Sequence, residues 1–177
     1  MEKNWCYTIK EGIHEGVTLW SGRYCAVSAF VFLKHNGTWY ILVNKRGKGT
    51  PDFQGMWNAP CGYLEADESA QEGCSREVYE ETGLYINPDR FKLVHVETEP
   101  ELCNHGNVTL RHVAVLVDED LDPNNNIEDP ENISKLEGGE VDEVSEIKWI
   151  PMKDIDNYQW AFNHRLTIKE TFNKFVG

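Results

Sequence analysis

The order of elements legible in the sequence predicts an α+β or α/β/α layered domain. Three observations carry this: paired β-rich runs open the chain, one sharply bounded helix sits in the middle, and a second helical stretch closes it. With 177 residues, the chain is read as one domain over residues 1–177, with residues 1–23 as an N-terminal extension.

Arg23–Leu33 (RYCAVSAFVFL) and Thr38–Val43 (TWYILV) are rich in β-branched and aromatic residues, and His35-Asn36-Gly37 lies between them. An Asn-Gly there predicts a tight hairpin, because both positions tolerate the positive φ that the turn requires. A loop rich in glycine and charge follows over Asn44–Gln54. Phe91–Glu99 and Val108–Val117 read as two further strands. Asp118–Gly139, crowded with Asp, Glu, Asn and Pro, reads as a long exposed loop. Glu146–Ile150 reads as a closing strand stopped by Pro151. Trp160–Phe175 reads as a terminal helix, with Leu166, Ile168, Phe172 and Phe175 near helical spacing.

Composition narrows the function classes. Lys and Arg number 17 against 30 Asp and Glu, a formal charge of −13. This argues against a broad basic surface for nucleic acid, since such binding draws on clustered cations at phosphates, and an anionic membrane is disfavoured for the same reason. No stretch approaches the roughly 20 apolar residues needed to span a bilayer. Five scattered cysteines, an odd number, fit free thiols in a reducing compartment, so a cytoplasmic protein is expected.

The segment that carries chemistry is Gly62–Leu84, GYLEADESAQEGCSREVYEETGL. Ser69 and Glu72 form the S-x-x-E pattern of a capping box, and Gly83 suits the left-handed residue past a helix end. At about 100° per residue, Ala70, Cys74 and Val78 form an apolar stripe, and Glu77, Glu80 and Glu81 crowd at its edge. Like charges at this spacing repel, by a few tenths of a kcal/mol when exposed and more when desolvated. Arg76 reaches Glu80 at i+4, but one cation does not neutralise three anions. Carboxylate oxygens without His or Cys suit Mg²⁺ or Mn²⁺ rather than zinc.

The full spacing is more specific than the acidic cluster. Gly62, Glu68, Arg76-Glu77-Val78, Glu80-Glu81, Gly83 and Leu84 fit G-x(5)-E-x(7)-R-E-U-x-E-E-x-G-U with every fixed position filled, U being aliphatic. This resembles the signature of the Nudix hydrolases. Gly55–Gly62 resembles the strand and turn before that box, although Cys61 stands where a second glycine is usual. The resemblance extends over residues 24–176, with the box at 62–84 its specific part.

The resemblance implies an α/β/α sandwich with a mixed sheet, and hydrolysis of a nucleoside diphosphate linked to another group by attack of water at phosphorus. It implies Glu77 and Glu81 as the main Mg²⁺ (or Mn²⁺) ligands, Glu80 as a third ligand or one bound through water, and the Gly62 carbonyl as a further oxygen. Arg76 is implied to pin Glu68. The general base is Glu77 itself or a glutamate of the stretch 137–146, with Glu143 favoured. Pro100, sixteen positions after Leu84, is near a spacing that marks ADP-ribose pyrophosphatases of the family; a turn is the commoner use of such a proline. Phe53, Trp57, Tyr63 and Trp160 are candidates for stacking a base, Trp57 and Tyr63 being more readily packing residues. Lys45 and Arg46 are read as loop charges that could also meet phosphate. Cys103, His105, His95 and His112 lack zinc spacing and are read as structural. Two other readings stand beside hydrolysis: a non-hydrolytic binding or sensor module, and an isoprenoid diphosphate isomerase. Both usually carry an altered box. A homodimer through elements outside the box is a further expectation.

Overall fold

The computed structural model describes residues 5–102, 106–121 and 142–177. The expected hairpin is present: β3 (Cys25–His35) and β4 (Thr38–Arg46) meet at Asn36 and Gly37, with φ of 47° and 77°. Before it, β1 (Trp5–Thr8) and β2 (Thr18–Ser21) pair within residues 1–23 as a separate two-stranded ribbon.

Strand β3 organises the core because its side chains alternate between two faces. Val27, Ala29, Val31 and Leu33 pack on one side with Cys74 and Val78 of α1 (Ala70–Thr82). Phe30 and Phe32 pack on the other with Ile168 of α2 (His164–Phe175). Such a strand reads as a continuous apolar run because both faces are covered. Each fully buried Val, Leu, Ile or Phe among them contributes about 1.5–3 kcal/mol. A sheet with a helix on either face is the expected α/β/α sandwich. It is mixed: β3 runs parallel to β8 (Val108–Val117) from Cys25↔Val108 to Lys34↔Val117, and β7 (Lys92–Glu97) is antiparallel to β8. The last strand, β9 (Val144–Pro151), is antiparallel to β4.

The site arises where the two central strands part. β3 and β4 are paired only from Phe32↔Ile41 to His35↔Thr38. Beyond this the start of β3 is paired with β6 (Cys61–Tyr63), whereas the end of β4 is paired with β5 (Trp57–Asn58) and β9. The divergence opens a cavity at one end of the sheet.

Two expectations need correction. The terminal helix starts at His164 rather than Trp160. Gln159 and Ala161 are bonded instead to the backbone of Trp57, at 2.9 and 2.8 Å, which holds the chain extended until Phe162 turns it at φ 54°. Leu166 and Phe175 also face out, and the buried face is made by His164, Thr167, Ile168 and Thr171. Asp118–Asp120 forms a short 3-10 turn; the remainder of the expected acidic loop, 122–139, lies outside the described residues, as do Glu137, Glu140, Cys103 and His105. Among the described residues no helix is long and apolar enough to cross a membrane.

Candidate active site

The local folding of α1 sets the positions of its carboxylates. Ser69 Oγ accepts from Glu72 N–H at 3.3 Å, and Glu72 Oε2 accepts from Ser69 N–H at 2.8 Å, so the capping box forms in both directions. Gly83 closes the helix at φ 73°, its N–H on Tyr79 O at 2.7 Å. Cys74 and Val78 are fully buried, which fixes the rotation of the helix and brings Glu77 to the sheet. Gly62 of β6 lies so close beneath Glu77 that a Cβ there would meet its carboxylate.

Arg76 gathers three of the four box glutamates. Its guanidinium donates to both oxygens of Glu68 (Nε 3.0 Å, Nη2 2.8 Å), to Glu77 Oε1 at 2.7 Å and to Glu80 Oε2 at 2.8 Å. It also donates to Tyr63 O at 2.9 Å, tying the helix to β6. These partners hold Glu68 below the ordinary carboxylate range, chiefly through the Arg76 hydrogen bonds. The crowding expected from the sequence is thus relieved at Glu77 and Glu80 by Arg76 itself. Among the described residues no three His, Cys, Asp or Glu side chains are gathered as a ready metal cluster.

Glu77 and Glu81 nevertheless remain electrostatically uncomfortable. Burial pushes Glu77 up to about 6 despite Arg76. Glu81 is pushed well above the usual range, first by burial and then by Glu77, and its Oε2 accepts one hydrogen bond, from Cys61 N–H at 3.2 Å. An excess of desolvated acceptor oxygens, with the backbone of Gly62 alongside, fits a hard divalent cation in donor chemistry. The Cys61 thiol is raised by burial and by Glu81, so it stays protonated.

Glu143 reaches this cavity by a route the sequence did not show. Gly47 and Gly49 N–H donate to Glu143 O and Asp142 O at 2.6 and 2.7 Å, and a Cβ on Gly47 would strike the Asp142 carbonyl. The glycine-rich loop is therefore a cradle for the segment that bears Glu143. Glu77, Glu80, Glu81, Glu143 and Gly62 all border one cavity of about 540 Å³.

The opposite part of the cavity is formed by side chains from distant segments. Ala26 and Ser28 leave the sheet surface low, and Arg111, buried and 3.4 Å from Glu97, borders them. Tyr63 is half exposed over the cavity rather than buried, its ring edge-on to Tyr24 at 5.7 Å, because its strand faces the side that α2 leaves uncovered. Arg46 also borders it, bonded to Asp52 at 2.7 Å and lying 5.1 Å from the Phe162 ring, so it is not a free loop charge. Lys45 instead bridges to Glu146 at 2.7 Å. Trp57 and Trp160 pack in the core under α2, and Phe53 touches Phe162 at 4.9 Å. His95 lies 3.6 Å from Glu97, His112 is buried in the sheet, and Pro100 sits in a turn. His164 Nδ1 accepts from Ala59 N–H at 3.1 Å, and burial drives its pKa down to about 3, so its ring is neutral. Asn44, Arg111, Phe162 and His164 were missed in the sequence because nothing local marks them; only the meeting of β4, β8 and the turn before α2 does.

Comparison with known proteins agrees with this architecture. Residues 23–171 match the NUDIX domain model. The "Phosphatase NudJ" of Escherichia coli strain K12 is 42% identical over 52 residues, 29% of this chain. That match spans about a third (34%) of the relative's length. Among solved structures, the NUDIX domain of Shewanella oneidensis NrtR, complexed with ADP ribose, superposes with a TM-score of 0.66 at 21% identity, over 88% of this chain and 90% of that one. A bifunctional NMN adenylyltransferase/ADP ribose pyrophosphatase from Francisella tularensis, complexed with AMP and a Mn ion, gives 0.62 at 22% identity, over 86% and 42%. At such identities these structures speak for the fold. With the family match covering most of the length and the box helix seated over the cavity, the chain belongs to the NUDIX family.

Proposed function

We propose that the protein is a metal-dependent pyrophosphohydrolase acting on a nucleoside diphosphate linked to a second group, ADP-ribose or a nucleotide sugar being the favoured classes. The observation that carries this reading is the pair Glu77 and Glu81, both pushed above the usual carboxylate range on the wall of a cavity large enough for a nucleotide. The ADP ribose and the AMP with Mn held by the two fold relatives support the ligand class.

In this reading Glu77 and Glu81 hold Mg²⁺ or Mn²⁺, with Glu80 and the Gly62 carbonyl as further oxygens. The ion's contribution is to offset phosphate charge and acidify a bound water. The chain supplies the rest. Arg76 fixes the glutamates in place through its fan of hydrogen bonds. Glu143, steadied by Gly47 and Gly49, accepts the proton of the attacking water as its oxygen forms a bond to phosphorus and the bridging P–O bond breaks. Tyr63, Ala26 and Ser28 shape the room for the nucleoside. A homodimer built through residues 1–23 fits the exposed Ile13, Val17 and Leu19 of the N-terminal ribbon.

The test is a hydrolysis screen with Mg²⁺ or Mn²⁺ over ADP-ribose, nucleotide sugars, nucleoside triphosphates, dinucleoside polyphosphates and coenzyme A, with products identified. Two phosphate-bearing halves from a diphosphate-linked substrate, lost in Glu81→Gln, are expected. Binding without turnover across the whole panel would assign the protein to the non-hydrolytic modules instead.

A further inference from the structure

Beneath the acidic helix end, two asparagines leave acceptor atoms unmatched. Asn44 on β4 and Asn58 on β5 stand directly opposite each other, 1% and 0% exposed. The side-chain oxygen of each has no hydrogen-bond partner among the described residues. Asn58 is anchored by its amide nitrogen, which donates to Ala59 O at 3.0 Å and Cys61 Sγ at 3.5 Å. Asn44 borders the cavity that also holds Gly62, Glu77 and Glu81. Alternation along β4 puts Asn44 on the face of Tyr40 and Leu42, which pack beneath α1, so its amide is directed toward the helix bearing those glutamates.

A buried amide oxygen without a partner is costly, and such atoms in folded proteins call for an explanation. The missing group is a donor. Two donors beside the glutamates are already committed: Cys61 N–H serves Glu81, and Arg76 serves Glu68, Glu77 and Glu80. A phosphate oxygen would only add to the acceptors. Water on a small divalent ion is a strong donor, and such ions keep several of their waters when bound by few carboxylates. Groups that accept from the first coordination sphere orient it and strengthen binding.

We propose that Asn44 Oδ1 accepts a hydrogen bond from a water of the divalent ion, which makes Asn44 a positioning residue for the hydrated metal; this rests on the metal-dependent reading above. The test needs no substrate. Mn²⁺ is titrated into full-chain wild type, Asn44→Leu and Glu81→Gln, free Mn²⁺ is followed by electron paramagnetic resonance, and melting of the ion-free proteins is recorded. Asn44→Leu is expected to weaken Mn²⁺ binding about 10- to 100-fold. It should melt no lower than wild type, because an apolar side chain of similar volume has no oxygen to leave unpaired. Mn²⁺ affinity within twofold of wild type in Asn44→Leu overturns the proposal and assigns the oxygen to a plain buried water or to substrate. Should Asn44→Leu lose its cooperative melt, Asn44→Ala carries the same comparison. Wild type that binds no Mn²⁺, or Glu81→Gln that binds it undiminished, overturns the reading of the site itself; wild-type binding that fails in Glu81→Gln but persists in the Asn44 variant overturns only the role of Asn44.

Discussion

The two helices that cover the sheet are built on opposite terms. α2 is an ordinary covering element: it buries His164, kept neutral, with Ile168 and two threonines, keeps its charged side chains outside and ends with Lys174 in the last turn, where a cation suits the negative end of the helix dipole. α1 ends instead on Glu80 and Glu81 with no basic residue in its last turn. Two of its carboxylates are desolvated as well. Both features oppose folding. They are offset by what α2 lacks: a two-way capping box at the start, a left-handed glycine at the end, and the Arg76 fan. An element that spends its own stability on charge placement, while its counterpart across the sheet does not, fits the proposed role of the α1 carboxylates.

The sharpest way to break this contrast is Glu81→Gln. On the proposed role it should lower turnover by at least about 100-fold, the upper end of what even a metal-supporting group contributes. At neutral pH it should also raise the melting temperature, because the substitution removes a carboxyl whose charged form is disfavoured by burial and by its place at a helix C-terminus. Steady-state kinetics and calorimetry on the same sample check both; lost activity with lost stability would place Glu81 among ordinary structural residues. Next in size, Ile168→Ala on α2, fully buried, should destabilise by about 2–5 kcal/mol in urea unfolding, since a cavity adds to the lost transfer energy. It should leave kcat of the remaining folded protein near wild type.

His164, at the start of α2, adds a pH signature. Its folded pKa of about 3 lies below its ordinary 6.5, so the folded protein binds fewer protons than the unfolded chain between those values. Its contribution is therefore fully present above pH 6.5 and is lost as pH falls toward 3, by about 1 kcal/mol between pH 7 and 5.5. Unfolding free energies across that range, compared with His164→Gln, should show this part of the slope vanish. The smallest difference concerns the caps. Ser69→Ala should cost about 1 kcal/mol. Asn163→Ala should change little, because Asn163 makes no side-chain cap hydrogen bond to α2. Equal effects at the two positions would dissolve the distinction between the helices.

The legible parts of the chain share one property: their cause is local. The Asn36-Gly37 hairpin, the span Val108–Val117 and both ends of α1 follow from turn chemistry, alternation and capping. The start of α2 was misread because Trp160 and Ala161 are drawn into pairing with Trp57, about a hundred residues earlier. Its buried face was misread because Thr167 and Thr171 sit inward while Leu166 and Phe175 face out. Apolar periodicity does not anticipate such a face.

By itself, then, the sequence determined the acidic helix and its register, because capping, helical period and box spacing act over a few residues and depend on side chains adjacent in the chain; the sandwich was legible only through the resemblance that the box carries. The tertiary structure alone decided that burial would raise Glu77 and Glu81 despite the nearby Arg76, that two glycines would hold Glu143 at the cavity, and that Asn44 would lie buried with an idle oxygen. Each of these depends on segments far apart in sequence meeting where β3 and β4 diverge, and on the loss of water there, which sets both the charge balance and the value of every hydrogen bond.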